Sequence, residues 1–229
     1  MRKLRLTAEL LALVDRVEAD PGPDPDRVPM SDADYDALSA DILAMFADGP
    51  LWLFAYGSLL WNPGFDFEDC HPARAHGWHR SFCMKLSRFR GSPENPGLML
   101  ALDRGGSCRG QIMKIAASAR SEQLGRLLKR EIPYRRLMKG YRKIGVQSRQ
   151  GSIEVLTFYA GMRGDKFYSP HPIEEQAKLI ARAAGHGGSA AAYLFQTVNK
   201  LEELGIHDSY IWRLQALVAD EIRRMHQLP

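Results

Sequence analysis

Residues 51–62 read Leu-Trp-Leu-Phe-Ala-Tyr-Gly-Ser-Leu-Leu-Trp-Asn, and the interpretation of the whole chain begins with them. Residues 51–55 form an apolar run that is too short to span a membrane and rich in aromatic side chains, which is typical of a strand buried on both faces. Gly57 tolerates backbone angles that other residues avoid, and Ser58 adds a hydroxyl and an N–H group. The stretch therefore predicts a buried strand followed by a turn that presents donors to an anionic or carbonyl group.

The turn differs from two common glycine motifs. A phosphate-binding loop needs Gly-x-x-x-x-Gly-Lys-Ser/Thr, and a hydrolase nucleophile elbow needs Gly-x-Ser-x-Gly followed by a helix. Here Pro63 and Gly64 follow, which favours a continued loop. From the residues alone, the turn is an ordinary one whose function stays open.

Composition favours one main soluble globular domain, since 45% of the 229 residues are hydrophobic. The net charge of +4 is a mild excess that would attract anionic small molecules and is too small to indicate a dedicated nucleic-acid binder.

Three widely spaced cysteines form no disulfide framework. Because Glu9 and Asp15 interrupt the N-terminal apolar stretch, it does not resemble a signal peptide. We expect a cytoplasmic protein without a membrane segment.

Apolar periodicity predicts helices at both ends of the chain and strands between them. We expect helices over 7–17 and 31–48, separated by a proline-rich linker over 21–29, and helices beginning near residues 171, 189 and 208. We expect strands over 80–87, 98–102, 109–115 and 153–159, with a hairpin-like connection at 104–107. The predicted fold class is α+β, with a curved or closed mixed β-sheet flanked by helices. Residues 1–48 would form an N-terminal helical extension and residues 49–229 the main domain.

Glu131 stands out in a predicted helix over 121–132. Leu124, Leu127 and Leu128 mark its buried stripe, and Glu131 lies on that stripe in the last turn before Pro133. Burial and the negative end of the helix dipole both raise a carboxyl pKa above the usual value of about 4.3. Two explanations are equally good from the residues alone, namely a catalytic carboxylate or an ion pair with Arg130, Arg135 or Arg136.

Several motifs resemble those of the ChaC-like γ-glutamylcyclotransferases. The turn Tyr-Gly-Ser-Leu at 56–59 resembles the loop that holds the γ-glutamyl end of the substrate, and Lys-Arg-Glu at 129–131 resembles the segment with the catalytic glutamate. Similar segments follow the family's order at 77–83, 90–102 and 193–205, so the resemblance covers roughly residues 51–218. It implies a γ-glutamylcyclotransferase-like barrel in a catalytic domain over 49–229, and it leaves the N-terminal extension outside.

The resemblance also implies a reaction and a set of site residues. Family members convert glutathione to 5-oxoproline and cysteinylglycine, because the substrate's α-amine attacks its own γ-carbonyl. That amine titrates near roughly 8, so a base must deprotonate it, and the resemblance assigns this role to Glu131. The substrate-binding residues it suggests are Tyr56, Gly57, Ser58, Leu59, Leu60 and Trp61. Tyr56 is either a ligand contact or a core aromatic, and Arg88 and Arg90 are predicted to meet the glycine carboxylate.

Other interpretations stay open. The basic strip over 129–143, interleaved with tyrosines, would suit a non-enzymatic RNA-binding protein. Ser58 would be an acyl-forming nucleophile if a histidine served as its base. A third alternative keeps the cyclotransferase reaction and changes the substrate to another γ-glutamyl amine or amide. We expect glutathione as the small-molecule partner, with no nucleic acid, no membrane, no cofactor and no metal, since the seven histidines show no metal-ligand spacing.

Overall fold

The computed structural model describes residues 3–23, 27–160 and 167–228. Residues 24–26 of the predicted linker lie outside the described residues. Within these three ranges, no helix combines the length and the apolar character needed to cross a membrane.

The described chain contains six α-helices and a sheet of five strands. The α-helices of the described chain are α1 (Ala8–Ala12), α2 (Asp32–Met45), α3 (Arg120–Glu131), α4 (Ile173–Arg182), α5 (Ala190–Glu203) and α6 (Ser209–Met225). The strands of the main sheet are β1 (Trp52–Ala55), β2 (Phe67–Leu86), β3 (Gly97–Ile115), β4 (Tyr141–Ser148) and β5 (Gly151–Phe158).

The main sheet closes into a barrel with the strand order β1-β3-β2-β4-β5. Strand β1 runs antiparallel to β3 and parallel to β5, where Leu53 pairs with Leu156. The sheet is therefore mixed and closed. This confirms the predicted fold class.

Strand β1 is buried on both faces, as its unbroken apolar run predicted. Trp52 and Phe54 point into the barrel, while Leu53 and Ala55 are buried on the other face. Bulky aromatic rings fill the barrel interior together with smaller apolar side chains. The interior cluster consists of Trp52, Phe54, Ala73, Ala75, Trp78, Leu102, Cys108, Ile112, Ile144, Val146 and Val155.

Two predictions about local structure were wrong, and two strand segments were missed. Residues 97–115 form one strand, so the hairpin-like connection at 104–107 does not exist. Gly105 and Gly106 adopt φ angles of 109° and 68°, and such glycines bend a strand without ending it. Strand β4 and the first part of β2 were not predicted. Helix α1 ends at Ala12, and Val17, expected on its apolar face, is 75% exposed.

The chain divides into two compact units. The first contains the described residues of 1–24, 80–101 and 164–229, and in it α4 packs against α5 and α6. The second contains the described residues of 25–79 and 102–163, with α2, α3 and the barrel interior. The separation of residues 1–48 from residues 49–229 stays a prediction.

Candidate active site

Glu131 is the last residue of helix α3. The Ile132 N–H group still donates to the Leu128 carbonyl at 2.8 Å, and Pro133 follows. Leu124, Leu127 and Leu128 are buried, which confirms the predicted stripe. The Glu131 side chain keeps 22% of its surface exposed, so the carboxylate is largely enclosed and still reachable.

The environment of Glu131 favours its protonated form. Burial raises the pKa of the carboxyl above its usual value of 4.5. The Arg130 guanidinium, with Nε 3.1 Å from Glu131 Oε1, lowers that pKa and offsets only part of the effect of burial. The ion pair with Arg130, one of the two alternatives from the sequence, is present. The catalytic role of the carboxylate, the other alternative, stays a prediction. A reachable carboxylate with a raised pKa is suited to accept a proton from an amine.

The turn after β1 is a single 3₁₀ turn over Ser58–Leu60. The N–H groups of Leu60, Trp61 and Asn62 are used inside it, since they donate to the carbonyls of Gly57 or Ser58 at 2.8–3.1 Å. Within the described chain, no hydrogen bond occupies the N–H groups of Ser58 and Leu59, which begin the turn. Leu59 and Leu60 have buried side chains, so a ligand would meet the backbone of these two residues.

Arg130 joins the turn to the carboxylate. Its Nη2 donates to Ser58 Oγ at 3.3 Å, its Nη1 donates to the Asn62 carbonyl, and its Nε faces Glu131. Gly64 leaves the space for this arginine, because a Cβ atom there would lie 2.8 Å from Nη1. One guanidinium therefore connects Ser58 with Glu131. Sequence reasoning named Arg130 only as an ion-pair partner and gave no indication of its contact with the turn.

Helix α3 holds the same loop at a second point. Gln123, buried in the first part of the helix, donates from Nε2 to Asp66 Oδ2 at 3.1 Å and accepts the Asp66 N–H group at 3.0 Å. The segment 58–66 is thus attached near both ends of α3. A rigid attachment of this kind fixes the distance between a binding turn and a catalytic group.

The aromatic residues beside the turn are half-buried. The Tyr56 ring packs against the barrel interior, with its centroid 6.4 Å from that of Phe54. Trp61 is half-buried as well. Tyr56 is therefore in part a core aromatic, and its partial exposure leaves room for a ligand contact.

Arg88 and Arg90 lie in the first unit, where both contact neighbouring groups. Arg88 forms a two-point pair with Asp20, with Nε–Oδ1 and Nη2–Oδ2 distances of 2.7 and 2.6 Å. The hydrogen bonds from Arg88 lower the pKa of Asp20 to about 2. Arg90 donates from Nη1 to the Ser189 carbonyl at 2.9 Å, and its guanidinium lies over the Tyr193 ring.

Several groups on which the rival interpretations depend have partners in the structure. In the basic strip, Lys129, Arg135 and Lys143 form ion pairs with Asp32, Asp34 and Glu154, respectively. The hydroxyl of Ser58 contacts the Arg130 guanidinium, which has no acceptor atom and cannot serve as a base. These contacts favour neither an exposed RNA-binding strip nor a serine nucleophile.

The part of the chain that carries this site matches a known protein family. Residues 51–221, which include the turn and Glu131, match the family described as ChaC-like protein. The chain belongs to the ChaC-like family. A relative of this ChaC-like chain, the glutathione-specific γ-glutamylcyclotransferase of Escherichia coli (strain K12), is 32% identical over 172 residues, covering 75% of this chain and 74% of the relative. Another, γ-glutamylcyclotransferase 2-1 of Arabidopsis thaliana, is 30% identical over 187 residues, covering 78% and 85%.

A solved structure supports the ChaC-like fold. The crystal structure of a yeast γ-glutamyl cyclotransferase specific to glutathione superposes with a TM-score of 0.67, covering 75% of this chain and 96% of the yeast chain. The two are 21% identical in sequence. The similarity is one of fold.

Proposed function

We propose that this ChaC-like chain is a γ-glutamylcyclotransferase that cleaves glutathione to 5-oxoproline and cysteinylglycine. The observation that carries the proposal is the Arg130 guanidinium, which brings the turn at Ser58 and the carboxylate of Glu131 to one place. The E. coli relative, named a glutathione-specific γ-glutamylcyclotransferase, supports the choice of substrate.

Glu131 would act as the general base. The substrate's α-ammonium group loses a proton to the carboxylate, and the free amine attacks the γ-carbonyl carbon. A new C–N bond closes the five-membered ring, the γ-amide C–N bond breaks, and the proton held by Glu131 goes to the nitrogen of the departing cysteinylglycine. The attacking nitrogen gives up a second proton when it becomes the lactam N–H of 5-oxoproline, and Glu131 passes this proton to the same departing nitrogen, which leaves as an ammonium group. Proton transfer is more effective when the pKa of the base lies nearer to the working pH, and burial moves Glu131 in that direction.

The turn would bind the γ-glutamyl end. We assign the N–H groups of Ser58 and Leu59, together with the backbone of Gly57 and Leu60, to the substrate's carboxylate or to the oxyanion that develops on the γ-carbonyl. Tyr56 and Trp61 would border the ligand. Arg130 would keep this turn at a fixed distance from Glu131, so that the bound amine lies within reach of the base.

Arg88 and Arg90 are proposed to recognise the glycine carboxylate of glutathione. Arg88 already holds a carboxylate in the two-point geometry that guanidinium groups favour, although the carboxylate is that of Asp20. Binding to the substrate would require Arg88 to exchange Asp20 for the ligand. Arg90 would place a further N–H group on the same glycine carboxylate while it keeps its contact with the Ser189 carbonyl.

We further propose that the protein is cytoplasmic and acts without metal, cofactor, membrane or nucleic acid. The odd number of cysteines supports a reducing compartment. The substrate supplies its own nucleophile, so the proposed reaction requires neither a serine nor a metal-bound water.

A substrate panel tests the proposal. Purified full-length chain, treated with a chelator, is expected to release 5-oxoproline from glutathione faster than from γ-glutamyl amino acids. A chain that does not cleave glutathione but cyclises free γ-glutamyl amino acids would support the third alternative, in which another γ-glutamyl amine or amide is the substrate. If none of these compounds yields 5-oxoproline, both the glutathione-specific reaction and the alternative substrate are refuted.

A further inference from the structure

The chain that follows Glu131 is tied to residues 28–35, which we call the brace. The brace and the segment 132–135 run antiparallel and share main-chain contacts. The Met30 N–H group donates to the Pro133 carbonyl at 3.1 Å, and the Arg135 N–H group donates to the Val28 carbonyl at 3.0 Å. Pro29 and Tyr134 form a β-bridge.

Two side-chain contacts add to this attachment. The hydroxyl of Tyr35 donates to the carbonyl of Ile132, the residue after Glu131, at 3.3 Å. Arg135 Nε donates to Asp34 Oδ2 at 2.8 Å. Asp34 is itself oriented by its capping box, in which it accepts from the Ser31 N–H group at 2.8 Å. The brace therefore presents two side-chain partners to the segment 132–135, and one of them, Asp34, is held in place by its capping box.

The position of Glu131 depends on what holds this segment. Glu131 ends helix α3, and the carbonyl groups of a last helical turn lack partners within the helix. Pro133 cannot continue the helix, so nothing in α3 itself fixes residues beyond Ile132. Helix ends fray when neighbouring elements do not hold them.

The other end of α3 is attached to the same N-terminal region. Arg120, the first residue of α3, donates from Nη2 to the Gly49 carbonyl at 3.0 Å and from Nη1 to the Phe46 carbonyl at 3.4 Å. Residues 28–49 thus contact α3 at its start and just past its end. Residues 28–49 lie in the second unit, as α3 does, and they precede residue 51, where the match to the family begins.

We infer that the brace is a positioning element for catalysis, which holds Glu131 at the distance required for proton transfer to the bound substrate. The inference rests on the proposed function. Tyr35 and Arg135 act through the backbone that follows Glu131 and are positioning residues. A displacement of a catalytic group by about 1 Å can cost on the order of a hundredfold in rate, so modest contacts of this kind have a measurable effect.

The test compares brace variants with a matched control. Tyr35→Phe removes one hydroxyl, Arg135→Ala removes the pair with Asp34, and Arg135→Lys keeps its positive charge. The control is Arg126→Ala, since Arg126 forms an exposed ion pair with Glu122 at 2.6 Å on the surface of the same helix. Each full-length variant is assayed for kcat and KM with glutathione, and its amide hydrogen exchange over residues 128–138 is measured by mass spectrometry.

The brace predicts a loss in kcat and a local loosening. Tyr35→Phe and Arg135→Ala should each lower kcat by roughly three- to tenfold, the effect of one net hydrogen bond, while KM changes by less than about twofold. Arg135→Lys should recover most of the loss. Exchange over 128–138 should rise in Tyr35→Phe and Arg135→Ala and stay at the wild-type level in Arg126→Ala.

The outcomes separate this inference from the proposed function. An active wild type whose kcat is unaffected by Tyr35→Phe and Arg135→Ala overturns the brace alone, as does a kcat loss that Arg126→Ala reproduces. Unchanged exchange over 128–138 in the brace variants also overturns it. A wild-type chain that releases no 5-oxoproline overturns the proposed function and with it the catalytic role of the brace.

Discussion

At the scale of single residues, the proposed mechanism depends on the protonation state of Glu131. Burial raises the pKa of this carboxyl, and a general base works only when deprotonated. The acid limb of the kcat/KM profile for glutathione should therefore lie above the usual glutamate pKa of 4.5. A pH-rate profile of the wild-type chain measures it. An acid limb at or below that value would show that a different group is the base.

The same pKa shift predicts how Glu131 affects stability. Because the folded-state pKa is raised, the contribution of this group to stability is complete below the unfolded-state pKa and is lost as the pH rises through the folded-state pKa. Glu131→Gln carries no charge and avoids this loss. Its unfolding temperature should equal or exceed that of the wild type near about pH 7, and the difference should shrink toward about pH 4.

Thermal unfolding followed by circular dichroism at both pH values checks this expectation. Glu122→Gln is the matched control, because Glu122 lies on the exposed surface of α3 with 63% of its side chain accessible. A Glu131→Gln chain that is less stable than the wild type near pH 7 and regains stability in acid would mean that the carboxylate stabilises the fold when charged.

Arg88 is tested with a substrate that lacks glycine. If Arg88 recognises the glycine carboxylate, Arg88→Ala should raise KM for glutathione, and Asp20→Asn should lower it by releasing the guanidinium. Neither change should alter KM for γ-glutamylcysteine, which has no glycine. Steady-state kinetics with the two substrates decides the point. An equal effect on both would assign Arg88 a structural role.

At the scale of elements, helix α3 and the loop over 58–66 form one assembly. Gly64 has a φ angle of +69°, and a Cβ atom there would displace Arg130 Nη1. Gly64→Ala should lower the free energy of unfolding by about 1 kcal/mol through the left-handed backbone, and kcat should fall because Arg130 moves.

Gly125→Ala is the control for this substitution. Gly125 lies within α3, and a Cβ atom there has nothing within 4 Å, so alanine should stabilise the helix by roughly 0.5–1 kcal/mol and leave kcat unchanged. Urea unfolding and the glutathione assay are made on both variants. Full activity in Gly64→Ala would show that the position of Arg130 is unimportant for catalysis.

Elements with a strong local pattern could be predicted from the sequence. The apolar run of β1 and the leucine stripe of α3 each specify one structure, and both were predicted correctly. The two halves of β3 were separated because Gly105 and Gly106 suggest a hairpin, whereas in the barrel these glycines bend a single strand. Local sequence does not distinguish the two, since the difference lies in how the strand pairs with its neighbours.

The candidate site was predictable only in part, for a similar reason. The position of Glu131 on the buried stripe follows from helical periodicity. The contacts of Arg130 join residues 68 and 72 positions apart in the chain, and no local pattern encodes them. The proposed role of the turn at Gly57 and Ser58 came from family resemblance, because a glycine-serine pair after a strand is by itself an ordinary turn.

At the scale of the whole molecule, the mild positive charge does not indicate a nucleic-acid partner. The net charge is +4, and Lys129, Arg135 and Lys143 of the basic strip pair with carboxylates. The protein should therefore elute from heparin at or below about 200 mM salt. Tight RNA binding with a steep dependence on salt would favour the non-enzymatic alternative.

The proposed mechanism requires Glu131 to accept the proton that starts the cyclisation of a γ-glutamyl substrate held at the turn. The most direct measurement is 5-oxoproline release from glutathione by the wild type, Glu131→Gln and the control Glu122→Gln, each shown to be folded by circular dichroism. With Glu131 as the base, we expect equal activity for the wild type and Glu122→Gln, and a loss of at least about a hundredfold in Glu131→Gln. A folded Glu131→Gln chain that cyclises glutathione at the wild-type rate would contradict it.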